Sequence, residues 1–452
     1  MLMSPFGICL VVLAISLVIS KRSIVDSYFS VWQLAFVVEG CVTAGTFLST
    51  RSFSLSWGDY FQIVLLFLAV IMSLCERKPI SIYFRVFFII VIGNLLILAF
   101  FPLKELVRDY AALDRSLTYY SVSDIYVYPK MGIQPIKTAV RFLVYIANAL
   151  SLFYFISIER WTVIVNKYIS IWKFVLKYLT FEFIIKNIFH RYRYIQILDW
   201  FFGSKGAMTR VSTIRRNGLF TLIGFNAEPS HLLMVAIPFL IVYVLSDVDD
   251  YSVKKKYMII LYTFFVCFLS GSFRAVGMLP IVLVFMLIKF KGNPFLYGGI
   301  IVFLISAFLI GVTGNFDYLS DRLASVWIDY NSGSYFSEGR LNTIFEAFSV
   351  FLKRPLVGCG LGTAFAYGFI PSILETFGLI GALYWYRIMF FKIARVKYIR
   401  HGVIYMLLLT VMWIYTNAIS TGYIETTLML CLAISFSQMQ NKVENSFSNV
   451  LF

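Results

Sequence analysis

A chain of 452 residues that is 60% hydrophobic, 14% charged and +16 in formal charge, with mean hydropathy +0.82, is excluded from the soluble globular classes by its composition. Its six cysteines, Cys9, Cys41, Cys75, Cys267, Cys359 and Cys431, make no CxxC or CxH pairing, which argues against a disulfide framework or a zinc site. The excess positive charge fits anionic lipid head groups or an anionic substrate, and no nucleic-acid partner is expected.

The first apolar run, Leu2 to Ser20, is followed by Lys21 and Arg22 but has neither a basic leader nor a small-residue cleavage site, so it reads as a retained span. Spanning runs recur at 29–49, 60–75, 80–101 and 140–158, with a poorer one at 171–189 and a clear one at 229–245. Six more follow at 257–270, 275–288, 294–313, 369–391, 402–420 and 423–438. At roughly 20 residues per span, this predicts an all-α polytopic integral membrane protein with about 12–13 transmembrane helices. A single transmembrane domain over 1–452 is expected, without repeats or a soluble domain.

Orientation follows from the short basic connectors "VKKKY" (253–257), "KFKG" (289–292) and "KIARVKYIR" (392–400), which the positive-inside rule places in the cytoplasm. They sit at alternate connections and agree with one another. The long segments 102–139, 190–228 and 314–368 then face outward. The poor run at 171–189 leaves the side of Met1 open.

Segment 190–228 carries Arg191, Arg193, Lys205, Arg210, Arg215 and Arg216 against Asp199. Long loops translocate largely regardless of charge, and an outward cationic surface suits either an anionic ligand or outer-leaflet head groups. In segment 314–368, Leu341, Ile344, Phe345, Phe348, Phe351 and Leu352 recur at helical spacing, which predicts an amphipathic helix over 341–353. Glu338, Gly339 and Arg340 precede it, and Pro355 with Gly358 ends it.

Three stretches carry candidate chemistry. In "GFNAEPSH" (224–231), Pro229 suits the first turn of a helix and Glu228 stands at its mouth. Glu228 either caps that helix or binds a hydroxyl and accepts its proton; Ser230 and His231 lie beside it. In "LSGSFRAVGMLP" (269–280), Arg274 occupies a tight connection between two apolar runs. Buried at mid-bilayer, an arginine costs about 2.5–3.5 kcal/mol, so it snorkels to the interface or faces a wet cavity. There Ser270, Gly271 and Ser272 offer backbone N–H groups to phosphate. The third stretch runs from Arg340 to "RPLVGCGLG" (354–362). No strand precedes its glycines, so a dinucleotide fingerprint fails and they read as a flexible re-entry into the next span. Glu375 and Glu425 are further candidate partners for the arginines. No catalytic triad, P-loop or metal-ligand spacing is present. Carboxylates and arginines facing outward fit transfer at an anomeric carbon bearing a pyrophosphate leaving group.

"NAEPS" opening a span, "SGSFRAVGM" between spans, and "GR…RPLVGCGLG…ETFGLIGALYW" leading into another together resemble the O-antigen polymerase (Wzy) and ligase superfamily. The matching residues cover roughly 219–386. The resemblance implies a GT-C-like glycosyltransferase architecture in the bacterial inner membrane, with its active site on the periplasmic face. It implies undecaprenyl-pyrophosphate-linked oligosaccharides as substrates, no cofactor or metal, and leaves room for a chain-length-regulating partner. Carried onto this chain, Arg274 and Arg340 hold pyrophosphate and Glu228 contacts or activates the acceptor. Arg215, Arg216, Ser230, His231, Ser272 and Tyr367 are expected substrate contacts. Ligases resembling this chain carry a His-Asn pair where Tyr367 and Gly368 stand. A polymerase is therefore expected ahead of a ligase or a lipid-linked oligosaccharide flippase.

Overall fold

The computed structural model describes residues 3–39, 48–49, 54–76, 81–108, 126–204, 206–213, 215–216, 219–226, 253–270, 338–364 and 368–389, with scattered positions in 232–243 and 297–301. It is mostly helical. Three two-residue antiparallel ladders, β1–β2 (Leu48–Ser49 with Ser54–Leu55), β3–β4 (Val107–Arg108 with Tyr126–Val127) and β5–β6 (Arg215–Arg216 with Leu219–Phe220), build no sheet layer.

The apolar runs become helices because a lipid-facing segment must satisfy its backbone groups internally. They give α1 (Pro5–Ser20), α2 (Ile24–Glu39), α3 (Trp57–Cys75), α4 (Ile82–Phe100) and α5 (Ile133–Phe155). Ser4 caps α1, its Oγ accepting from the Gly7 N–H at 3.1 Å. Among the described residues α3, α4 and α5 are long and apolar enough to cross a membrane. Large apolar side chains stay exposed at helical spacing: Ile8, Val12, Ile15 and Ile19 on α1, and Ile63, Phe67, Val70 and Leu74 on α3. In water each would forfeit about 1.5–3 kcal/mol, so these stripes are surfaces for lipid.

Several boundaries move. Helix α5 starts at Ile133, so 133–139 are helical and continuous with the span that follows. The poor run at 171–189 is the latter part of one longer helix, α6 (Ile158–Phe183), continued by a π-helix at Ile184–Ile188. Its charges find partners that no hydropathy window registers. Arg160 pairs with Asp26 of α2 at 3.0 Å and Lys167 donates to Gln33 Oε1 at 2.6 Å, a shared seven-residue step that sets α2 and α6 parallel. The "VKKKY" connector is the first turn of α9 (Val253–Leu269). Between α6 and α9 lie two short helices, α7 (Tyr194–Phe202) and α8 (Ala207–Ser212), inside what reads in sequence as a basic loop. Helix α10 (Glu338–Lys353) matches the predicted amphipathic helix, beginning three residues earlier, and α11 (Phe369–Tyr386) follows.

These elements fall into two compact units, one drawn from 1–72, 156–321 and 423–452, the other from 73–155 and 322–422. In the first, α2 and α9 pack on α6, where Trp172 Nε1 donates to Thr263 Oγ1 at 3.2 Å. The described positions of 232–243 are helical and buried, with Phe239 stacked on Trp172 at 5.1 Å. In the second, α4 packs on α5 and α11, and α10 on α11. Phe377 of α11 meets Phe87 of α4 at 5.7 Å and Phe142 of α5 at 6.1 Å.

Candidate functional site

The chain leading to the "NAEPS" stretch is held by a buried ion pair at the end of α6. Glu182 and Lys186, one turn apart, are both fully buried and meet at 2.9 Å. Taking two charges out of water costs several kcal/mol per ion, repaid only when further hydrogen bonds saturate both groups. Here they are supplied by backbone. Glu182 accepts from the N–H of Ile223 (3.2 Å) and of Gly224 (2.8 Å), and Lys186 donates to the Thr221 carbonyl at 2.6 Å.

The neighbouring Asn187 engages Phe220 from both ends of its amide. Its Oδ1 accepts the Phe220 N–H at 2.6 Å, and its Nδ2 donates to the Phe220 carbonyl at 3.4 Å. Gly224 sits at φ +60 with Leu179 Cδ2 only 3.2 Å from where a Cβ would stand. Phe225 stacks on Tyr178 at 4.2 Å. Asn226, fully buried, folds back to the Ile223 carbonyl through Nδ2 at 2.9 Å. Segment 220–226 is thus held at six of its seven residues, and it ends two positions before Glu228.

The turn before it is organised by Asp199. Its carboxylate accepts from the Met208 N–H at 3.0 Å, the Thr209 N–H at 2.7 Å, and the hydroxyls of Ser204 and Thr209. It therefore ties α7 to the start of α8. Beneath lies a cluster of Ile195, Phe202, Met208 and Ile223. Burial, reinforced by the Glu182 carboxylate, pushes the Tyr194 phenol well above its ordinary range. Arg215 and Arg216 form strand β5, in register with Phe220 and Leu219 respectively.

In the other unit, Arg340 lies in the first turn of α10. That helix ends against the segment after α4: Lys353 pairs with Glu105, and Arg354 donates to the carbonyls of Phe101 and Pro102. The glycines that follow are not a flexible re-entry. Helix α11 breaks at Gly378, with φ 68 and ψ −175, and the backbone groups around the break bond to 355–360. The Cys359 N–H donates to the Glu375 carbonyl at 2.8 Å and the Gly360 N–H to the Thr376 carbonyl at 3.1 Å. From beyond the break, the N–H groups of Leu379 and Ile380 donate to the carbonyls of Pro355 (2.7 Å) and Leu356 (3.2 Å).

Close approach requires glycine at this crossing. A Cβ on Gly358 would stand 2.6 Å from the Glu375 carbonyl oxygen, and one on Gly378 2.4 Å from the Val357 nitrogen. Asn94, from the middle of α4, completes the lock. Its Nδ2 donates to the carbonyls of Val357 (2.9 Å) and Thr376 (3.2 Å), and its Oδ1 accepts the Leu361 N–H at 2.9 Å. Burial, and secondly the Glu375 carboxylate, pushes the Cys359 thiol up, which disfavours a nucleophilic thiolate.

Among the predicted site residues, the backbones of Arg215, Arg216 and Arg340 are placed as above. Glu228, Ser230, His231, Ser272, Arg274 and Tyr367 lie outside the described residues. Glu182, Lys186 and Asn94 were missed by sequence reasoning, although a signal existed for each. The first two are an oppositely charged i,i+4 pair in an apolar stretch, and Asn94 is the only polar side chain between Arg85 and Phe101. No family model, curated protein or solved structure matches the chain.

Proposed function

We propose that this chain is an O-antigen polymerase of the bacterial inner membrane, a GT-C-like glycosyltransferase acting on undecaprenyl-pyrophosphate-linked repeat units at the periplasmic face. The observation that carries the reading is the order of "NAEPS", "SGSFRAVGM" and "GR…RPLVGCGLG…ETFGLIG" along the chain. Its geometric support is that the two halves of the last piece act as one element. "RPLVGCGLG" threads onto the helix break in "ETFGLIG", and the helix that carries Arg340 in its first turn runs into it. Likewise, the approach to "NAEPS" is a segment pinned by hydrogen bonds to the buried Glu182 carboxylate and not a slack loop.

In this mechanism the acceptor sugar hydroxyl gives its proton to Glu228 as its oxygen bonds to the donor's anomeric carbon. The bond from that carbon to pyrophosphate breaks, and Arg274 and Arg340 offset the charge gathering on the departing undecaprenyl pyrophosphate. Arg215, Arg216, Ser230, His231, Ser272 and Tyr367 contact the lipid-linked glycan.

The test is deletion of the gene in its host, with lipopolysaccharide resolved on a gel and complementation by the intact chain. Collapse of the ladder to core plus one repeat supports the polymerase. Loss of that first rung points instead to a ligase or flippase, and accumulation of lipid-linked polymer singles out the ligase. Glu228→Ala, Arg274→Ala and Arg340→Ala should each abolish polymer at normal protein levels; wild-type chain length in all three would sink the site assignment.

A further inference from the structure

The stretch from Ile188 to Trp200 has a surface that neither water nor the bilayer core suits. On helix α7, Ile195, Asp199 and Phe202 are buried, while Arg193, Ile197 and Trp200, at i, i+4 and i+7, look outward. Ile197 is 66% exposed and Trp200 63%. Just before the helix, Ile188 and Phe189 are also exposed. The chain then turns through His190, a non-glycine residue at φ 52, and presents Arg191.

The sign of the outward charge is settled by Asp199. It is the only carboxylate between Glu182 and Glu228, and it is buried and taken up by the hydrogen bonds that tie α7 to α8. Lys186, likewise, is spent on Glu182. Apart from His190 and Gln196, what this segment offers outward is therefore aromatic, aliphatic and cationic.

In water the exposed isoleucines, phenylalanine and tryptophan would each forfeit about 1.5–3 kcal/mol. At mid-bilayer each arginine would cost about 2.5–3.5 kcal/mol. Only the boundary between acyl chains and head groups accommodates both, and that is where tryptophan is enriched and short amphipathic helices lie. We infer that residues 188–200 form an interfacial anchor, with Ile197 and Trp200 set into the upper acyl region and Arg191 and Arg193 on the phosphates of anionic lipids. This inference stands independently of the enzymatic reading.

The experiment uses the full chain in nanodiscs of phosphatidylcholine, with and without phosphatidylglycerol, the lipids carrying bromine at a shallow or a deep acyl position. Trp200→Phe supplies the reference, so the difference in emission isolates Trp200. Its emission should be quenched by shallow bromine and less by deep bromine. In mixed nanodiscs, Arg191→Gln with Arg193→Gln should lower the preference for brominated phosphatidylglycerol by up to roughly thirty-fold, as expected from about 1 kcal/mol for each of the two arginines near an anionic surface. Quenching in pure phosphatidylcholine should persist. Absence of quenching at both depths would mean that the helix stands in water or under a protein partner. Stronger quenching by deep bromine would place it in the bilayer core. An unchanged preference in the arginine variant would remove the head-group contact. Each of these three outcomes overturns the proposal, and circular dichroism with a monodisperse elution profile establishes that the variants are folded.

Discussion

At the end of α6 a stretch of backbone is fastened by charge, whereas between α10 and α11 it is fastened by the absence of side chains. Glu182 and Lys186 hold 221–224 with two carboxylate-accepted N–H bonds and one ammonium-donated bond. Gly358 and Gly378 hold 355–360 against the α11 break by letting two backbones approach within reach of one another, with Asn94 spanning the crossing. A buried charge cluster tolerates changes in volume but not the loss of one partner. The backbone crossing tolerates loss of a hydrogen bond far better than the addition of one methyl group.

The sharpest way to break this contrast is Gly378→Ala. It adds a Cβ 2.4 Å from the Val357 nitrogen at a φ/ψ open essentially only to glycine. A destabilisation of about 4 kcal/mol or more is expected, at the top of the range for single substitutions, read as a lowered midpoint in thermal unfolding in detergent. Gly206→Ala is the control. It too has positive φ, but nothing lies within 4 Å of the new Cβ, so a loss of about 1 kcal/mol is expected from strain alone.

Next in size is Glu182→Gln, which strands the buried Lys186 ammonium and should cost about 3 kcal/mol. Adding Lys186→Met should restore part of that loss. If the two substitutions proved additive in the same unfolding assay, the pair would not be acting as a unit.

Asn94→Leu removes three hydrogen bonds without adding bulk at the crossing and should cost about 2 kcal/mol, at roughly 1 kcal/mol per bond less what the apolar side chain recovers. A loss as large as that of Gly378→Ala would shift the credit for the lock from the glycines to the asparagine. The smallest effect is expected for Asp26→Asn. Its partner Arg160 is partly exposed, so under about 1 kcal/mol should be lost.

Much of the fold was legible because a membrane span is a local property. A run of about 20 predominantly apolar side chains is informative wherever it occurs, since lipid rewards each one alone. Helices α1, α3, α4 and α11, and the amphipathic α10, accordingly fall near their predicted positions. The same reasoning stumbled on α6. Each of its charges counted against a span in a hydropathy window, yet Asp26, Gln33 and the backbone at 221–224 answer several of them from elsewhere in the chain. The candidate site divides in the same way. The motifs stood out as sequences, but nothing in "ETFGLIGALYW" shows that its helix breaks at Gly378, because only the arrival of 355–360 satisfies the groups so released.

By itself, then, the sequence determined that this chain is helical, apolar and strongly basic, because those properties are sums over individual side chains. Tertiary structure alone decided that Asp199 and Glu182 face inward, that Lys186 carries no outward charge, and that the glycines make a lock. A carboxylate's effect depends on which N–H groups surround it, and a glycine's on what lies a few ångströms away. Both are set by partners that lie from a few to a few hundred positions away in the chain and that only the fold brings together.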